Sequence, residues 1–406
     1  MKQIAARKAE ARIKFIGSDG KPLANKDIKI SLKNHEFLFG CGGFDFLCYV
    51  QAQDPEKKAF FEERVNKWMG LFNYGTLPFY WGGFEPEEGK PNTENLKKAA
   101  TFMKEHGIQV KGHPLCWHTG SAQWLLKYDN KTMFEKQMAR IERDVSEFKG
   151  LIDMWDVINE VVIMPIYDKY DNPVTRMCKD LGRVGLCKEV FNQAYKYNPD
   201  GTFLINDFNL STSYEILIDG LLQAGVPVNT IGLQSHQHHG VWGREKLEEI
   251  LSRFEHFGLP IHFTENTIVA GPTVDPKIID LQDAHYDDDA ATPEYEQMQA
   301  DELEKMYRVL FEEHPLVTGI TNWDFSDGMW LNAPSGLIRK DCSIKPSYER
   351  LSNLIKKEWS TNTTVKTDAE GWAIIEGFKG TYECSADGAK GKFSLGKDCP
   401  NVTSLK

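Results

Sequence analysis

Between residues 36 and 359 the chain alternates short apolar runs with longer stretches in which apolar residues recur every three or four positions. The short runs are rich in β-branched residues and bounded by breakers, as in VTGITNW. They predict strands over 37–43, 72–79, 109–115, 153–160, 202–207, 230–236, 260–265 and 317–324. The longer stretches predict helices over 56–69, 93–106, 132–149, 183–197, 212–224, 244–257, 294–313 and 346–358. Phe134, Met138, Ile141, Val145 and Phe148 show the helical spacing. Strands that alternate with helices imply a parallel sheet. Eight such units over roughly 320 residues predict the α/β class, as a closed (β/α)8 TIM barrel. A doubly wound open sheet is excluded by its missing signature. FGCGGFDF after the first strand has glycines but not the G-x-G-x-x-G phosphate turn.

Both ends follow another rule. ARIKFIG, a turn at Ser18–Pro22 and the run Asp27–Leu32 alternate with period two, as do WAIIEGF, GTYEC and KFSL near the C-terminus. The expected organisation is a catalytic barrel over 36–359 and a small β-sandwich formed from 1–35 plus 360–406.

Composition narrows the function. The 406 residues are 41% hydrophobic with a net charge of −11, enough for a large core and without a basic patch, so nucleic acid is not an expected partner. No stretch is long and apolar enough to span a membrane, and the N-terminus lacks the apolar segment of a signal peptide. A secreted chain whose signal precedes this sequence is the expectation, with a cytoplasmic location the alternative, and a monomer is expected. The eight cysteines show no C-x-x-C spacing; free thiols are expected, except that Cys384 and Cys399 flank a hairpin and are expected to pair in an oxidising compartment, with Cys178 and Cys187 a further candidate pair.

A barrel of this kind carries its chemistry at the C-terminal ends of its strands. Polar and aromatic groups stand at those ends: GHPLCWH (112–118), WDVINE (155–160), FLINDFN (203–209), GLQSHQHHG (232–240), HFTEN (262–266) and ITNWDFSDG (320–328). Two carboxylates, Glu160 and Glu265, fall on the fourth and seventh strands, across the mouth from each other. Such a pair can cleave a glycosidic bond, one acid protonating the leaving oxygen while the other attacks or activates water. His236, His238 and His239 with Glu265 are a competing metal set. The strand period turns His236 and His239 to opposite faces, and H-E-x-x-H is absent. The acidic run Asp287–Asp289 lacks an EF-hand pattern and reads as a solvated loop.

These motifs, closing with KPSYERL, resemble in order and spacing the family 10 glycoside hydrolases, the retaining endo-β-1,4-xylanase family, over about residues 37–358. The resemblance implies Glu160 as general acid/base and Glu265 as nucleophile, with no cofactor. It implies a plant cell-wall polysaccharide or oligosaccharide, xylan by default, as substrate. It further implies that Asn159 contacts the sugar 2-hydroxyl and that His236 is bonded to the nucleophile. His113, Trp117 and Gln234 then line the reacting subsite, and Trp323 and Trp330 close over the sugar. Hydrogen bonds from His236 and Asn159 are expected to keep Glu265 ionised.

Two departures are visible. The polar trio the family carries after its second strand is missing from the stretch Thr76–Pro86, where Tyr80 and Trp81 either offer stacking faces instead or simply pack. Another β-glycan or an aryl or saponin glycoside is therefore the alternative substrate, and a carbohydrate-binding protein on an inactive barrel the alternative of another class. The position two after Glu265, usually Asp, is Thr267, whose hydroxyl can bond an imidazole but cannot hold its cation as a carboxylate can. At the ends, DGKPLANKDIKISL and TDAEGWAIIEGFKGTYEC resemble strands of one Ig-like or transthyretin-like sandwich.

Overall fold

Eight parallel strands close into a barrel in the computed structural model, which describes residues 3–406. Two strands precede it, β1 (Lys8–Ile16) and β2 (Asp27–His35). The barrel strands are β3 (Leu38–Gly42), β4 (Tyr74–Pro78), β5 (Gln109–His113), β6 (Met154–Asn159), β7 (Thr202–Asp207), β8 (Thr230–His236), β9 (Ile261–Thr267) and β10 (Val317–Asn322). They pair in chain order, and β10 returns to β3 to close the ring. Five strands follow: β11 (Asn362–Lys366), β12 (Trp372–Phe378), β13 (Gly380–Ala386), β14 (Ala389–Leu395) and β15 (Val402–Ser404).

Each predicted barrel strand has its counterpart, because fully buried β-branched runs bounded by breakers have few other places to go. The helices start where capping side chains allow. Asp129 accepts from Thr132 N at 2.8 Å to open the helix Asn130–Phe148. Two helices escaped the pattern, Phe44–Gln51 and the single turn Trp81–Phe84. The helix predicted from 183 begins at Pro173, capped by Asn172, and is interrupted at Gly182, whose φ of 70° breaks the helical path.

The barrel bends where it matters. Gln234 and His236 on β8 pair with Thr264 and Thr267 on β9, so β9 carries one extra residue there. Ile320 and Asn322 on β10 pair with Phe263 and Asn266, giving the same offset on the other side. The bulge encloses Glu265, which takes a φ of 55°. Bulges of this kind re-aim side chains at barrel rims. Glu160, one residue past β6, also has a left-handed φ, 59°.

The chain ends form two sheets, β12–β1–β15 and β11–β2–β13–β14. β1 pairs with β12 from Lys8↔Phe378 to Lys14↔Trp372, and β2 pairs with both β11 and β13. Phe15 of one sheet meets Phe393 of the other edge-on at 6.2 Å, with Tyr382 stacked on Phe393 at 5.1 Å. The two sheets thus enclose a small core. Arg7 ties this unit to the floor of the barrel. Its Nε donates to Phe311 O at 2.8 Å and its Nη2 to His314 O and Val317 O, both at 2.8 Å. All eight cysteines are free thiols, so the expected Cys384–Cys399 pair is not formed; Cys384 is buried in β13 instead.

Candidate active site

The strand ends converge on Glu160 and Glu265. Glu265 is buried at 4% exposure and has three polar neighbours. Asn206, at the end of β7, donates to its Oε1 at 2.6 Å. His236 Nε2 lies 3.1 Å from its Oε2, and His113 Nε2 lies 4.0 Å from Oε1. An ionised carboxylate only accepts, so His236 Nε2 carries the hydrogen. Its Nδ1 faces the Thr267 hydroxyl, whose Oγ1 is 2.9 Å away. Burial raises the Glu265 pKa, but the positive field of His113 and the bond from His236 outweigh it, and the group ends below its ordinary value.

Glu160 experiences the opposite balance. Trp117 Nε1 donates to its Oε2 at 2.8 Å, while Asn159 and Gln234 reach Oε1 at 3.3 and 3.2 Å. Desolvation and the nearby charge of Glu265 dominate these bonds and push the carboxyl up to about 8. Two acids in one mouth therefore differ in protonation at neutral pH, one neutral and one ionised.

A buried amide and charge network supports both. Asn159 Oδ1 accepts from Asn206 at 2.8 Å and from Gln234 at 3.1 Å, and Thr264 Oγ1 donates to Asn206 Oδ1 at 2.6 Å. Beneath them Asp156 accepts from His113 Nδ1 at 2.7 Å and pairs with the wholly buried Lys111 at 2.6 Å. Burial pushes Asp156 up, but the Lys111 charge and the His113 bond bring it below its ordinary value. Sequence reasoning missed Asn206, Lys111 and Asp156. Asn206 stands in one of the quoted strand-end motifs, but only the folded register reveals that it, rather than Asn159, reaches Glu265. Asn159 instead serves Glu160.

Aromatic rings wall the mouth. Trp323 packs edge-on against His113 at 5.3 Å and against His236 at 6.2 Å. Trp330 lies 4.7 Å from His236 and 5.1 Å from His238. Tyr80 meets Trp117 at 5.6 Å and His113 at 5.7 Å, facing the two acids, whose charges add to burial in raising its phenol. Trp81 does not join it. Buried at 3% exposure, it donates to Glu85 at 3.0 Å, packs on Trp124 and lies under Arg140, so it presents no face to a ligand. The three histidines diverge, His236 toward Glu265, His238 toward Tyr286 at 3.0 Å and His239 toward the Val274 carbonyl at 3.4 Å.

A family model described as glycosyl hydrolase family 10 matches residues 79–354. The chain belongs to that family. Among its relatives is the anti-sigma-I factor RsgI6 of Acetivibrio thermocellus, 27% identical over 399 residues, which are 96% of this chain and 46% of that protein. Another is an endo-1,4-beta-xylanase/feruloyl esterase of Xylanibacter ruminicola, 24% identical over 288 residues, 64% of this chain and 39% of that protein. The chain thus spans less than half the length of either relative. Xylanase 10B of Thermotoga petrophila RKU-1, solved in complex with xylobiose, shares the fold. It superimposes with a TM-score of 0.63 at 21% identity, covering 80% of this chain and 95% of that one.

Proposed function

We propose that this family 10 barrel is a retaining β-glycosidase with endo-β-1,4-xylanase activity, Glu160 serving as acid/base and Glu265 as nucleophile. The carrying observation is the opposed protonation of two carboxyls in one mouth, Glu160 raised to about 8 and Glu265 lowered. Glu160 gives its proton to the leaving oxygen while Glu265, held by Asn206 and His236, attacks the anomeric carbon. The glycosyl–enzyme ester removes the charge of Glu265. That removes one of the two causes that keep Glu160 neutral, so Glu160 ionises more easily and draws the proton from the incoming water. His113, Gln234, Trp323 and Trp330 hold the sugar, and Tyr80 supplies a phenol where other family members place polar groups. In this reading the barrel occupies 36–359, and the sandwich of 1–35 with 360–406 braces its floor. Xylan is the first substrate to test because relatives bear the name xylanase. Release of reducing sugar from xylan, mixed-linkage glucan and aryl β-glycosides, with retained anomeric configuration by NMR, is the expected result. Inverted product would remove Glu265 from the nucleophile role.

A second reading has its own observation. Of two relatives matched over nearly the whole chain, one is named for action on a sigma factor and the other is named a xylanase. A barrel that binds glycan without cleaving it would release no sugar from any of the three substrates, yet would bind xylo-oligosaccharide in calorimetry.

A further inference from the structure

The loop that leaves β9, residues 268–293, does not stay beside its own helix. It crosses the end of β8, where Val274 N donates to His238 O at 2.8 Å and Tyr286 meets His238. It then reaches the loop that leaves β6. There Lys169 Nζ sits between two carboxylates, 2.7 Å from Asp280 Oδ2 and 2.8 Å from Asp283 Oδ1. In the barrel β7 and β8 separate β6 from β9, so this contact spans the rim over two intervening strands. The loop has a small core of its own, in which Val269, Val274, Ala284 and Tyr286 pack with Ala333. It is a built strap, held by Lys169 at Asp280 and Asp283 and by Lys340 at Asp288.

Beside the Lys169 clasp a row of rings leads away from Glu160. Trp117 donates to that acid, and ring centroids then step 6.2 Å to His118, 4.4 Å to Tyr167 and 5.2 Å to Tyr170. Tyr170 adjoins Lys169 in the chain, so the row ends at the clasp. An acid that protonates a leaving oxygen has the leaving group on its own side. Trp117, Tyr167 and Tyr170 are partly exposed on that side, with His118 buried behind them, and pyranose or phenyl rings have the flat apolar faces that suit them.

We propose that the Lys169–Asp280–Asp283 clasp closes the leaving-group side of the mouth. The protein then turns over β-glycosides with a short leaving group faster than it cleaves a long polymer. This rests on the hydrolase reading above. The test compares kcat/KM on an aryl β-xylobioside and on polymeric xylan for the parent, Lys169→Ala and the double variant Asp280→Ala/Asp283→Ala. The clasp groups are partly exposed, and such pairs add little to stability, so both variants keep the fold. The parent is expected to favour the aryl substrate. Both variants should raise the polymer-to-aryl ratio at least fivefold, with the aryl value within twofold of the parent. A ratio that rises less than fivefold, with both substrates turned over, sinks the clasp and leaves the hydrolase standing. If the parent turns over neither substrate, the hydrolase reading fails and takes the clasp with it.

Discussion

Glu160 and Glu265 share more than a mouth. Both sit on left-handed backbone, which costs a non-glycine residue of order 1–3 kcal/mol and is found where structure is spent on function. Their electrostatics make separable predictions. Glu265→Ala should lower kcat by at least ~10³-fold with little change in KM for a good substrate. A smaller loss would remove it from the chemistry. Activity should fall above about pH 8 as Glu160 loses its proton, and on the acid side only below 4.5, where Glu265 gains one. The same group predicts a stability effect. Folded, Glu160 keeps its proton up to about 8, whereas unfolded it releases it near 4.5. Between these values the folded chain binds more protons, so stability declines as pH rises through that window, and the cost is absent below 4.5. Glu160→Gln, which never ionises, should therefore melt a few degrees above the parent at pH 8, and the advantage should vanish by pH 4. Thermal melts at the two pH values decide it.

The strand is the scale at which the sequence was most legible. VTGITNW and WDVINE name their strands because a parallel barrel strand is buried on both sides and tolerates little else. The expected strands lie within a few residues of those observed, and their ends pointed to Glu160, Glu265, His236 and Trp323. What pattern could not supply was register. The bulge in β9 exists because three residues of β8 and three of β10 each face four of β9, a relation among three strands that no single segment contains. With it went the partner of Glu265, which was sought in Asn159 and found in Asn206. Trp81 was misplaced for a related reason. A one-turn helix with two glycines, Trp81–Phe84, rotates it into the core directly after Tyr80 faces the mouth. Close packing between strands also makes a prediction. A β-carbon on Gly112 would lie 2.1 Å from the Trp155 ring. Gly112→Ala should cost about 1–3 kcal/mol or more through overpacking, read as a lowered denaturation midpoint. Gly83→Ala, with nothing within 4 Å, should cost far less. Equal effects would show that β5 and β6 can slide apart.

At the scale of the whole molecule, two distant parts of the chain build one sandwich, and Arg7, with Asn34, His35 and Phe378, joins it to the barrel. Arg7 donates to backbone carbonyls around the end of the helix Pro293–Glu313 and the start of β10, where the helix dipole also favours a cation. Arg7→Ala leaves those carbonyls without their donor and should lower stability by about 1–3 kcal/mol. Activity on a small aryl glycoside should stay unchanged, because the mouth lies at the other end of the barrel; a selective loss of activity would tie the sandwich to catalysis. The period-two runs at both ends announced strands, and their pairing in space rested on resemblance alone until β1 met β12 and β2 met β13. One consequence concerns attachment. Ile4–Arg7 packs at the barrel floor, and Val402–Ser404 runs parallel to Lys14–Ile16 in the same sandwich. Anything joined to either end of this chain would hang from the face opposite the two acids. A fusion partner, a surface tether or a bead coupled there should leave access to the mouth as it is in the free protein.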